Sequence, residues 1–596
     1  MPYGQDAPEG HFWQQDHRSS EGLTRMPVQN ADIAAIFERT AELLEIKGDH
    51  QGEVRAYRHA ARALEALPMS VAALLADGAD LSRLPGVDAD LAGKIASIVK
   101  TTRFDLLDNL QRQLPGDFNA IAAVPGLGPK RVRLLQEHLR VRTLDDLRRA
   151  AQSGQLRDIR GLGLAVEKKV LAALAKPQHE RRFKLSVARE EAEALLAALD
   201  LKTPECRITI AGSYRRRRET VGDLDLVVTG PKSSVVGDRL IRYERVAEIL
   251  AHGPTRTTVV LRSGLAVELL TVDHESFGAG LLYLTGSKAH TVALRTLAGV
   301  RGWKLNEYGL FAGKRRIAGA TEEELYAKLG LDFIPPELRE DRGEVASARG
   351  NRLPALITMA DIRGDLHVHS DWSDGTAPIR ELAAAAHARG YQYLAITDPI
   401  RGPGAPNGLD AARLAQQAEE IDRLNRSLAG ITILKGVETG ILEDGSLDLP
   451  DAVLSRLDVV VAAVHSHFDL PAMAQTSRLV HAIQNPQVSI LAHPTSRLIG
   501  QREPCRADLD RVIAVARAVG CHLEINADPD RLDLDDEHAR AAKVAGVKLA
   551  ISSGARSGAA LASLEFGVDQ ARRGWVSPHD VINTRSLGEL KKLLRR

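Results

Sequence analysis

Residues 212–225 decide the fold around them and read Gly-Ser-Tyr-Arg-Arg-Arg-Arg-Glu-Thr-Val-Gly-Asp-Leu-Asp. Side chains alternate along a β-strand, so Asp223 and Asp225 are predicted to face the same way. Two adjacent carboxylates repel each other unless a cation lies between them, and the arginines just upstream suit a polyanion. The stretch therefore predicts metal-assisted transfer on a phosphate substrate. For the carboxylate pair alone, the alternative is a solvated strand end.

The runs beside this stretch indicate an α+β region over residues 178–338. Residues 207–210 and 224–228 are rich in β-branched side chains, as strands are. The carboxylate pair is thus predicted to lie on a strand of a sheet.

Upstream, residues 29–177 are predicted to form short helices joined by three similar hairpins. Each hairpin has a glycine-apolar-glycine sequence, or a near match, around residues 84–87, 124–130 and 159–163. Glycines let the backbone approach a phosphate, and the helix that follows offers free N–H groups. Three copies with nearby Lys and Arg favour binding to the DNA backbone without base readout, and ordinary helix packing is the alternative. In the first copy Asp88 replaces a glycine, which is expected to weaken that phosphate site.

From residue 361 onward, apolar strand-like runs alternate with helical segments. This alternation indicates an α/β barrel, in which functional side chains lie at the C-terminal ends of the strands. Residues 339–360 carry mixed charges and a glycine and are predicted to form a linker. The strand-like runs are residues 394–397, 431–434, 459–464, 490–492, 523–525 and 549–551.

Composition limits the class of protein. The chain has 596 residues, 44% of them hydrophobic, which is enough for several domain cores. The formal net charge of +1 hides a surplus of positive charge in residues 101–232, which fits a nucleic-acid partner. The three dispersed cysteines argue against a disulfide framework and a thiolate zinc site. No apolar run is long enough for a membrane span, and the polar residues 1–28 indicate a flexible tail rather than a signal peptide, so a cytoplasmic protein is expected.

On these motifs, the chain resembles the family X DNA polymerases over nearly all of residues 29–340. The resemblance depends on residues 212–225, on residues 283–290 (Tyr-Leu-Thr-Gly-Ser-Lys-Ala-His) and on residues 304–309 (Lys-Leu-Asn-Glu-Tyr-Gly). It implies a multidomain protein with an all-α helix-hairpin-helix N-terminal region. The implied domains are a lyase-like helical domain (29–105), a fingers-type helix-hairpin-helix domain (106–177), a nucleotidyltransferase palm (178–285) and a thumb (286–338).

The resemblance also implies the chemistry of the site. Asp223, Asp225 and Glu268 would bind Mg²⁺ or Mn²⁺ in the palm and activate a primer 3′-hydroxyl towards a deoxynucleoside triphosphate (dNTP). The implied partners are gapped or primer-template DNA and dNTPs, and a monomer is expected. The implied nucleotide contacts are Gly212, Ser213, Arg216, Tyr283, Gly286, Ser287 and Lys288.

The third palm carboxylate departs from the family's pattern. The family usually has an aspartate in a Val-Asp-Leu-Arg strand, whereas residues 267–270 read Val-Glu-Leu-Leu. Glu268 can still bind metal and accept a proton, but it is one methylene longer, and reacting centres are sensitive to small shifts. We expect polymerase activity that is slower or has an altered metal preference, and a structural, inactive palm is the alternative.

Lys94 lies where the family has the Schiff-base lysine of its 5′-deoxyribose phosphate lyase domain. Attack of an amine on the sugar aldehyde is sound chemistry, and a phosphate contact is the alternative role. Tyr57 and Arg58 match the family's neighbouring Ala-Tyr-Arg segment. They are expected either to line a 5′-phosphate pocket or to pack.

Residues 361–596 resemble a PHP (polymerase and histidinol phosphatase) domain, a distorted (β/α)7 barrel. The resemblance starts from residues 365–370 (Asp-Leu-His-Val-His-Ser), whose two histidines at i and i+2 can bind one metal. It implies a Zn²⁺ or Mn²⁺ centre that trims DNA 3′ ends. The implied ligands are His367, His369, Asp374, Glu438, His465 and His493.

Three ligands expected from this resemblance are missing. Pro399 stands where the family has a histidine, and residues 552–556 (Ser-Ser-Gly-Ala-Arg) stand where a Thr-Asp-Ala-His motif is expected. Arg556 also places a fixed positive charge there, which opposes a cation. We expect an impaired 3′–5′ exonuclease and a mainly structural barrel. The alternatives are that the remaining ligands hold one metal, or that Arg556 binds phosphate.

Together the motifs favour a template-directed DNA polymerase that fills short gaps in DNA repair, in base excision or end joining. Two alternatives stay open: an end-processing 3′–5′ exonuclease or phosphoesterase, and a non-catalytic module that binds gaps or breaks. The missing barrel ligands argue against the first, and the intact aspartate pair argues against the second.

Overall fold

The computed structural model describes residues 30–47, 51–65, 71–76, 79–84, 86–101, 104–113, 121, 124, 127–175, 182–200, 206–231, 233–402 and 405–594. The predicted tail 1–28 and the hairpin residues Pro85, Pro125 and Gly126 lie outside these residues. The chain divides into two compact units, Met1–Leu174 and Ala175–Arg596.

The first unit is helical, as its apolar periodicity predicted. Ile33, Phe37 and Leu44 recur on one face of the first helix and are buried in the core with Tyr57 and Phe104. The described helices are α1 (Asn30–Lys47), α2 (Gln51–Glu65), α3 (Val71–Ala76), α4 (Ala89–Thr101), α5 (Asp105–Gln113), α6 (Pro129–Leu139), α7 (Leu144–Gln152) and α8 (Gly163–Ala175).

The second unit begins with the α+β palm. Its main sheet has the strand order β2-β4-β7-β6-β5, in which β4 and β7 are parallel and the other neighbours antiparallel. On β4, Leu224 and Leu226 point into the core, which leaves Asp223 and Asp225 on the opposite, open face. The elements are β1 (Phe183–Lys184), α9 (Leu185–Leu199), β2 (Arg207–Ile210), α10 (Gly212–Arg215), β3 (Thr220–Val221), β4 (Asp223–Thr229), α11 (Ser233–Ile241), β5 (Val246–His252), β6 (Arg256–Leu261), β7 (Ala266–Thr271) and α12 (Phe277–Thr285).

The thumb follows as helices around a three-stranded antiparallel sheet of order β10-β9-β8. Residues 339–360, the predicted linker, include charged side chains that are packed into the fold. Arg339 and Glu344 are fully buried, and each has a partner that compensates its charge. Arg339 pairs with Glu322, and Glu344 pairs with His290. The elements are α13 (Lys288–Val300), β8 (Trp303–Asn306), β9 (Gly309–Ala312), β10 (Arg315–Ala318), α14 (Glu322–Lys328) and α15 (Glu344–Arg349).

The C-terminal region forms the predicted parallel barrel, with strands in sequential order from β11 to β17. Backbone hydrogen bonds from His369 to Ala555 and from Gly554 to His367 join the first strand to the segment after the last. The elements are β11 (Gly364–Val368), α16 (Ile379–Ala388), β12 (Tyr393–Ile396), α17 (Ala411–Ser427), β13 (Thr432–Gly440), α18 (Asp451–Leu454), β14 (Val459–Ala463), α19 (Ala472–Gln484), β15 (Ile490–Leu491), α20 (Leu509–Val519), β16 (His522–Asn526), α21 (Asp536–Ala545), β17 (Leu549–Ser552), α22 (Leu564–Arg573) and α23 (Leu587–Leu594).

The barrel shares hydrophobic cores with the other domains of its unit. Leu532 and Phe566 are buried in the core of the palm, and Trp575 is buried in the core of the thumb. The palm and thumb are therefore built partly on barrel side chains. Among the described residues, no helix has both the length and the apolar character that a membrane span requires.

Candidate functional site

The palm brings its three predicted carboxylates together on two neighbouring parallel strands. Asp225 on β4 is directly paired in register with Glu268 on β7, and Asp223 lies two residues before Asp225. Asp223 is exposed and Asp225 is half-buried. Arg256 on β6 forms an ion pair with Glu268 at 3.1 Å. The open face of the sheet thus carries Asp223, Asp225 and Glu268 with one guanidinium at their edge.

The electrostatics of this cluster favour a cation. Burial and the adjacent carboxylates of Asp223 and Glu268 raise the pKa of Asp225 to about 8, and Arg216 and Arg256 oppose that shift only partly. A carboxyl group that resists ionisation beside other carboxylates is stabilised in its charged form by a bound divalent metal. The oxygen donors fit Mg²⁺ or Mn²⁺.

The predicted phosphate-binding turn, residues 212–218, packs directly on Asp225. The backbone N–H of Ala211 donates to the carbonyl of Asp225 at 2.7 Å. Gly212 has φ +64°, and a Cβ at this position would lie 2.1 Å from Asp225 Oδ2. Only glycine allows this close approach, so the turn and the carboxylates form one site.

Two arginines of this turn hold it against the predicted nucleotide-pocket residues 283–288. Arg215 donates to the Thr285 hydroxyl at 2.8 Å and forms a paired contact with Glu322. Arg216 donates to the carbonyl of Thr285 and to Glu340, the latter at 3.1 Å. Burial lowers the pKa of Arg216, and Glu340 opposes this. Arg216 is a predicted triphosphate contact. Its guanidinium also holds the turn against Thr285 and Glu340.

The remaining predicted nucleotide contacts line the segment that the turn faces. Gly286 lies against Arg216, since a Cβ there would be 3.2 Å from Arg216 Nη1. Ser287 caps α13 by accepting a hydrogen bond from the His290 N–H at 3.2 Å, and Lys288 is exposed at the start of that helix. Half-buried Tyr283 has the guanidinium of Arg295 5.5 Å from its ring centroid, and the exposed fraction of Ser213 is also intermediate. The last residue of this motif, His290, belongs to the thumb core.

In the helical unit, the hairpins differ in how their helices begin. Asp88 Oδ1 accepts the N–H of Leu91 at 2.8 Å at the start of α4, so a carboxylate lies where a phosphate would bind. At the second hairpin, Gly128 begins α6 with no side-chain cap, followed by Pro129 and exposed Lys130. The open helix N-terminus of the second hairpin suits a phosphate better than that of the first.

Lys94 is bound to two neighbours rather than free. Its Nζ donates to Tyr57 Oη at 2.8 Å and to Asp90 at 2.6 Å. Burial opposes the charge on Lys94, but its bonds to Asp90 and Tyr57 outweigh this and raise its pKa. Arg58 is tied to Glu45 at 2.7 Å and to Glu38 at 3.3 Å. The lysine is thus held as a cation, which suits a phosphate contact better than attack on an aldehyde.

The barrel gathers most of its predicted ligands around Glu438, at the C-terminal ends of its strands. Ligand atoms of His367, His369 and Glu438 lie within 4.8 Å of one another, and so do those of Glu438, His465 and His493. Glu438 Oε1 is 3.1 Å from His465 Nε2 and 3.3 Å from His493 Nε2. The imidazole donors fit Zn²⁺, and the carboxylate among them is also compatible with Mn²⁺.

The charges in the barrel cluster are matched by protein groups. Burial alone would lower the pKa of His367, but Glu524 and Glu438 raise it to about 10. Burial raises the pKa of Glu438, but His465 and His367 hold it well below its usual range. Burial and Arg531 lower the pKa of His493 to about 4, so that imidazole is a neutral potential ligand.

Asp374, the sixth predicted barrel ligand, is engaged by a guanidinium. Arg556 Nε donates to its Oδ2 at 2.8 Å, and its Oδ1 lies 2.7 Å from His369 Nδ1. Pro399 and Gly554 also line the cavity but bring no side-chain donor. Arg556 thus occupies the side of the centre where the expected ligands are missing.

Three residues with roles at these sites were missed from the sequence. Arg256 pairs with Glu268, Glu340 accepts from Arg216, and Glu524 accepts from His367 Nδ1 at 2.8 Å. Glu524 could have been found, because it is the one charged residue in the strand-like run 523–525, whereas no local pattern marks Arg256 or Glu340.

Known families match five successive segments of the chain. A helix-hairpin-helix domain matches residues 28–104, and a SAM-like helix-hairpin-helix tandem matches residues 118–176. The DNA polymerase beta palm matches residues 186–277 and the DNA polymerase beta thumb residues 280–340. The PHP domain matches residues 365–528.

Similar proteins include one that matches nearly the whole chain and others that match less than half of it. The DNA polymerase/3′-5′ exonuclease PolX of Bacillus subtilis is 37% identical over 574 residues, which cover 96% of this chain and 100% of that protein. A probable phosphatase of Thermoanaerobacter sp. is 31% identical over 243 residues, 39% of this chain and 94% of that protein. A probable phosphatase of Syntrophotalea carbinolica is 30% identical over 229 residues, 37% of this chain and 90% of that protein.

Proposed function

This chain belongs to the family X DNA polymerases that carry a C-terminal PHP domain, and from that premise we propose that its palm fills short gaps in DNA during repair. It is a nucleotidyltransferase that acts on DNA. The observation that carries the proposal is the contact of the Gly212 turn with Asp225, beside Glu268. This contact supports the proposal, because a turn that receives phosphates and carboxylates that bind metal must lie side by side for nucleotidyl transfer.

Different residues of the palm are proposed to bind the triphosphate, line the nucleotide pocket and accept the proton. The backbone of Gly212 and Ser213 and the charge of Arg216 receive the triphosphate, while Tyr283, Gly286, Ser287 and Lys288 line the nucleotide pocket. Glu268 accepts the proton of the primer 3′-hydroxyl, whose oxygen bonds to the α-phosphorus as pyrophosphate leaves. Arg256 fixes the orientation of the Glu268 carboxylate, which offsets the freedom of its extra methylene.

Asp223, Asp225 and Glu268 are the proposed ligands of Mg²⁺ or Mn²⁺. Bound ions stabilise the charge that develops on the attacking and leaving oxygens. The pKa of Asp225, raised by burial and by its carboxylate neighbours, supports this assignment, because a bound cation would stabilise the ionised carboxylates.

The test is single-nucleotide gap filling by the full chain in Mg²⁺. Asp223→Asn with Asp225→Asn keeps side-chain size but removes both charges, and extension should fall by more than about a hundredfold, since even outer-shell changes at metal sites cost about ten- to a hundredfold. Binding to gapped DNA should be unchanged. Asp238→Asn, an exposed carboxylate of the same domain, is the matched control. Extension by the double variant at the wild-type rate would remove the site assignment.

The helical hairpins are proposed to hold the DNA backbone at the gap. The uncapped start of α6 supports a phosphate contact there, and Lys94 is proposed to contact the 5′-phosphate side rather than act as a lyase. Borohydride trapping on an incised abasic substrate tests the second point. We expect no Lys94-dependent adduct, and an adduct lost in Lys94→Ala would restore the lyase assignment.

A reduced 3′–5′ exonuclease is the second candidate function, favoured by the four histidines that remain around Glu438. The pairing of Arg556 with Asp374 supports impairment, since it removes a ligand and adds a fixed positive charge. A 3′-trimming assay in Mn²⁺ or Zn²⁺ separates these outcomes. We expect weak trimming or none, while trimming as fast as extension would contradict the proposed impairment.

A further inference from the structure

Arg573, the last residue of barrel helix α22, contacts the backbone of the predicted phosphate-binding turn of the palm. Arg573 Nη1 donates to the backbone carbonyl of Arg216 at 2.7 Å and to Glu340 at 3.1 Å. Its Nη2 donates to Asp536 at 2.7 Å. The side chain is 2% exposed. A planar guanidinium with three acceptors and no room to move is a rigid support for that carbonyl.

Other barrel contacts hold the same turn. Arg217 forms an ion pair with Asp569 of α22 at 3.6 Å. Glu219 pairs with Arg497, which follows β15, at 2.6 Å. Together with Arg573, these contacts reach residues 216, 217 and 219 from two separate parts of the barrel.

The backbone of the turn has a conformation that needs such support. Arg217 has φ +56°, in the left-handed region that non-glycine residues rarely adopt. A residue in that conformation persists when its surroundings determine it. The barrel contacts flank Arg217 on both sides and determine the shape of the turn.

We propose that Arg573 is a positioning residue for the dNTP triphosphate. It holds the Arg216 carbonyl so that residues 212–218 keep the shape that receives the phosphates, and it makes dNTP affinity depend on the barrel. The inference rests on the proposed function, in which this turn binds the triphosphate. It also assigns the barrel a role in polymerisation that is independent of its own metal centre.

The experiment compares Arg573→Met with Arg572→Met in the full chain. Arg572 is the preceding residue of the same helix, and its hydrogen bonds go to Glu337 at 2.8 Å and to the carbonyl of Ile357 at 2.9 Å. In Arg573→Met, the KM for dNTP and the Ki for inorganic tripolyphosphate should both rise about tenfold, which corresponds to about 1.4 kcal/mol. The kcat and the Kd for gapped DNA should change little. Arg572→Met should keep all four wild-type values.

Arg573→Met is expected to fold, because Glu340 keeps Arg216 and Asp536 keeps Arg342 as partners. If Arg573→Met does not fold, Arg573→Lys is tested in its place. The lysine ammonium cannot reach all three acceptors at once, so the KM for dNTP and the Ki for tripolyphosphate should rise several-fold. Unchanged KM and Ki in the variant that folds, or equal shifts in the Arg572 control, would overturn the inference. The proposed function is tested separately, by gap filling in the Asp223→Asn, Asp225→Asn double variant, so its failure can be distinguished from failure of this inference.

Discussion

The palm and the barrel each gather acidic side chains at one site, but they balance the charge in different ways. In the palm, Asp223, Asp225 and Glu268 lie together, and the guanidiniums of Arg216 and Arg256 offset their charge only partly. In the barrel, Glu438 is surrounded by imidazoles. The palm cluster lacks the positive charge it needs, whereas protein groups supply that charge in the barrel.

This difference teaches where a divalent ion is required. Burial and the neighbouring carboxylates raise the pKa of Asp225 to about 8, so a bound cation would stabilise its ionised form. In the barrel, His465 and His367 hold the pKa of Glu438 well below its usual range, although burial opposes this. In the barrel, Arg556 has also taken a position that would repel an ion. On this contrast we propose that the palm carries the metal-dependent polymerase chemistry and that the barrel mainly supports it.

The largest effect is expected from Glu268→Gln. The amide cannot accept the proton of the primer 3′-hydroxyl, and loss of a positioned general base costs about a hundredfold or more. The measurement is the single-turnover rate of gap filling in Mg²⁺. Glu248→Gln, on the exposed face of the same sheet, should keep the wild-type rate. A wild-type rate in Glu268→Gln would show that Glu268 is not the general base and that only Asp223 and Asp225 act in the palm.

The next effect concerns pH. Because the pKa of Asp225 is raised to about 8 without metal, this carboxyl is mostly protonated at pH 7 and must lose a proton to bind Mg²⁺. The apparent Mg²⁺ affinity should therefore rise about tenfold between pH 6 and pH 7 and level off above pH 8. Calorimetry in buffers of different ionisation enthalpy measures the released proton. A Mg²⁺ affinity that does not change with pH would contradict the difference drawn between Asp225 and Glu438. So would a pH dependence that remains in Asp225→Asn.

The smallest effect is expected from Arg556→Gln. Removing this half-exposed charge frees Asp374, and such pairs contribute up to about 1 kcal/mol, so the affinity of the barrel for Mn²⁺ or Zn²⁺ should rise up to about fivefold. Equilibrium dialysis measures it, and gap filling should not change. Arg502→Gln, whose guanidinium stacks on Phe468, is the control. Unaltered metal affinity in Arg556→Gln would mean that the missing ligands alone impair the centre.

Local patterns predicted much of the fold and of both clusters. The alternation of Leu and Asp along β4 predicted that Asp223 and Asp225 share a face of the strand, and the spacing of His367 and His369 predicted their shared face. Their Nε2 atoms lie 3.1 Å apart. The apolar runs after residue 361 predicted the barrel strands, because parallel strands buried on both faces need continuous apolar sequence.

Long-range pairings could not be predicted in this way. Arg256 reaches Glu268 diagonally across the β6–β7 register, which no local pattern specifies. Arg573 and Arg216 are 357 residues apart in the chain. The charged residues 339–344 suggested a solvated linker, but partners elsewhere in the fold bury Arg339 and Glu344. Whether a charge is solvated or paired depends on tertiary contacts, which the sequence shows only through resemblance.

One measurement tests the central claim most directly: single-nucleotide gap filling in Mg²⁺ by two isosteric variants, Asp225→Asn in the palm and Glu438→Gln in the barrel. Each removes one carboxylate charge from one cluster, and thermal melting confirms that both proteins are folded. We predict that Asp225→Asn loses extension while Glu438→Gln extends at close to the wild-type rate. Extension that survives Asp225→Asn, or that is lost in a folded Glu438→Gln protein, would contradict the assignment of the metal-dependent chemistry to the palm.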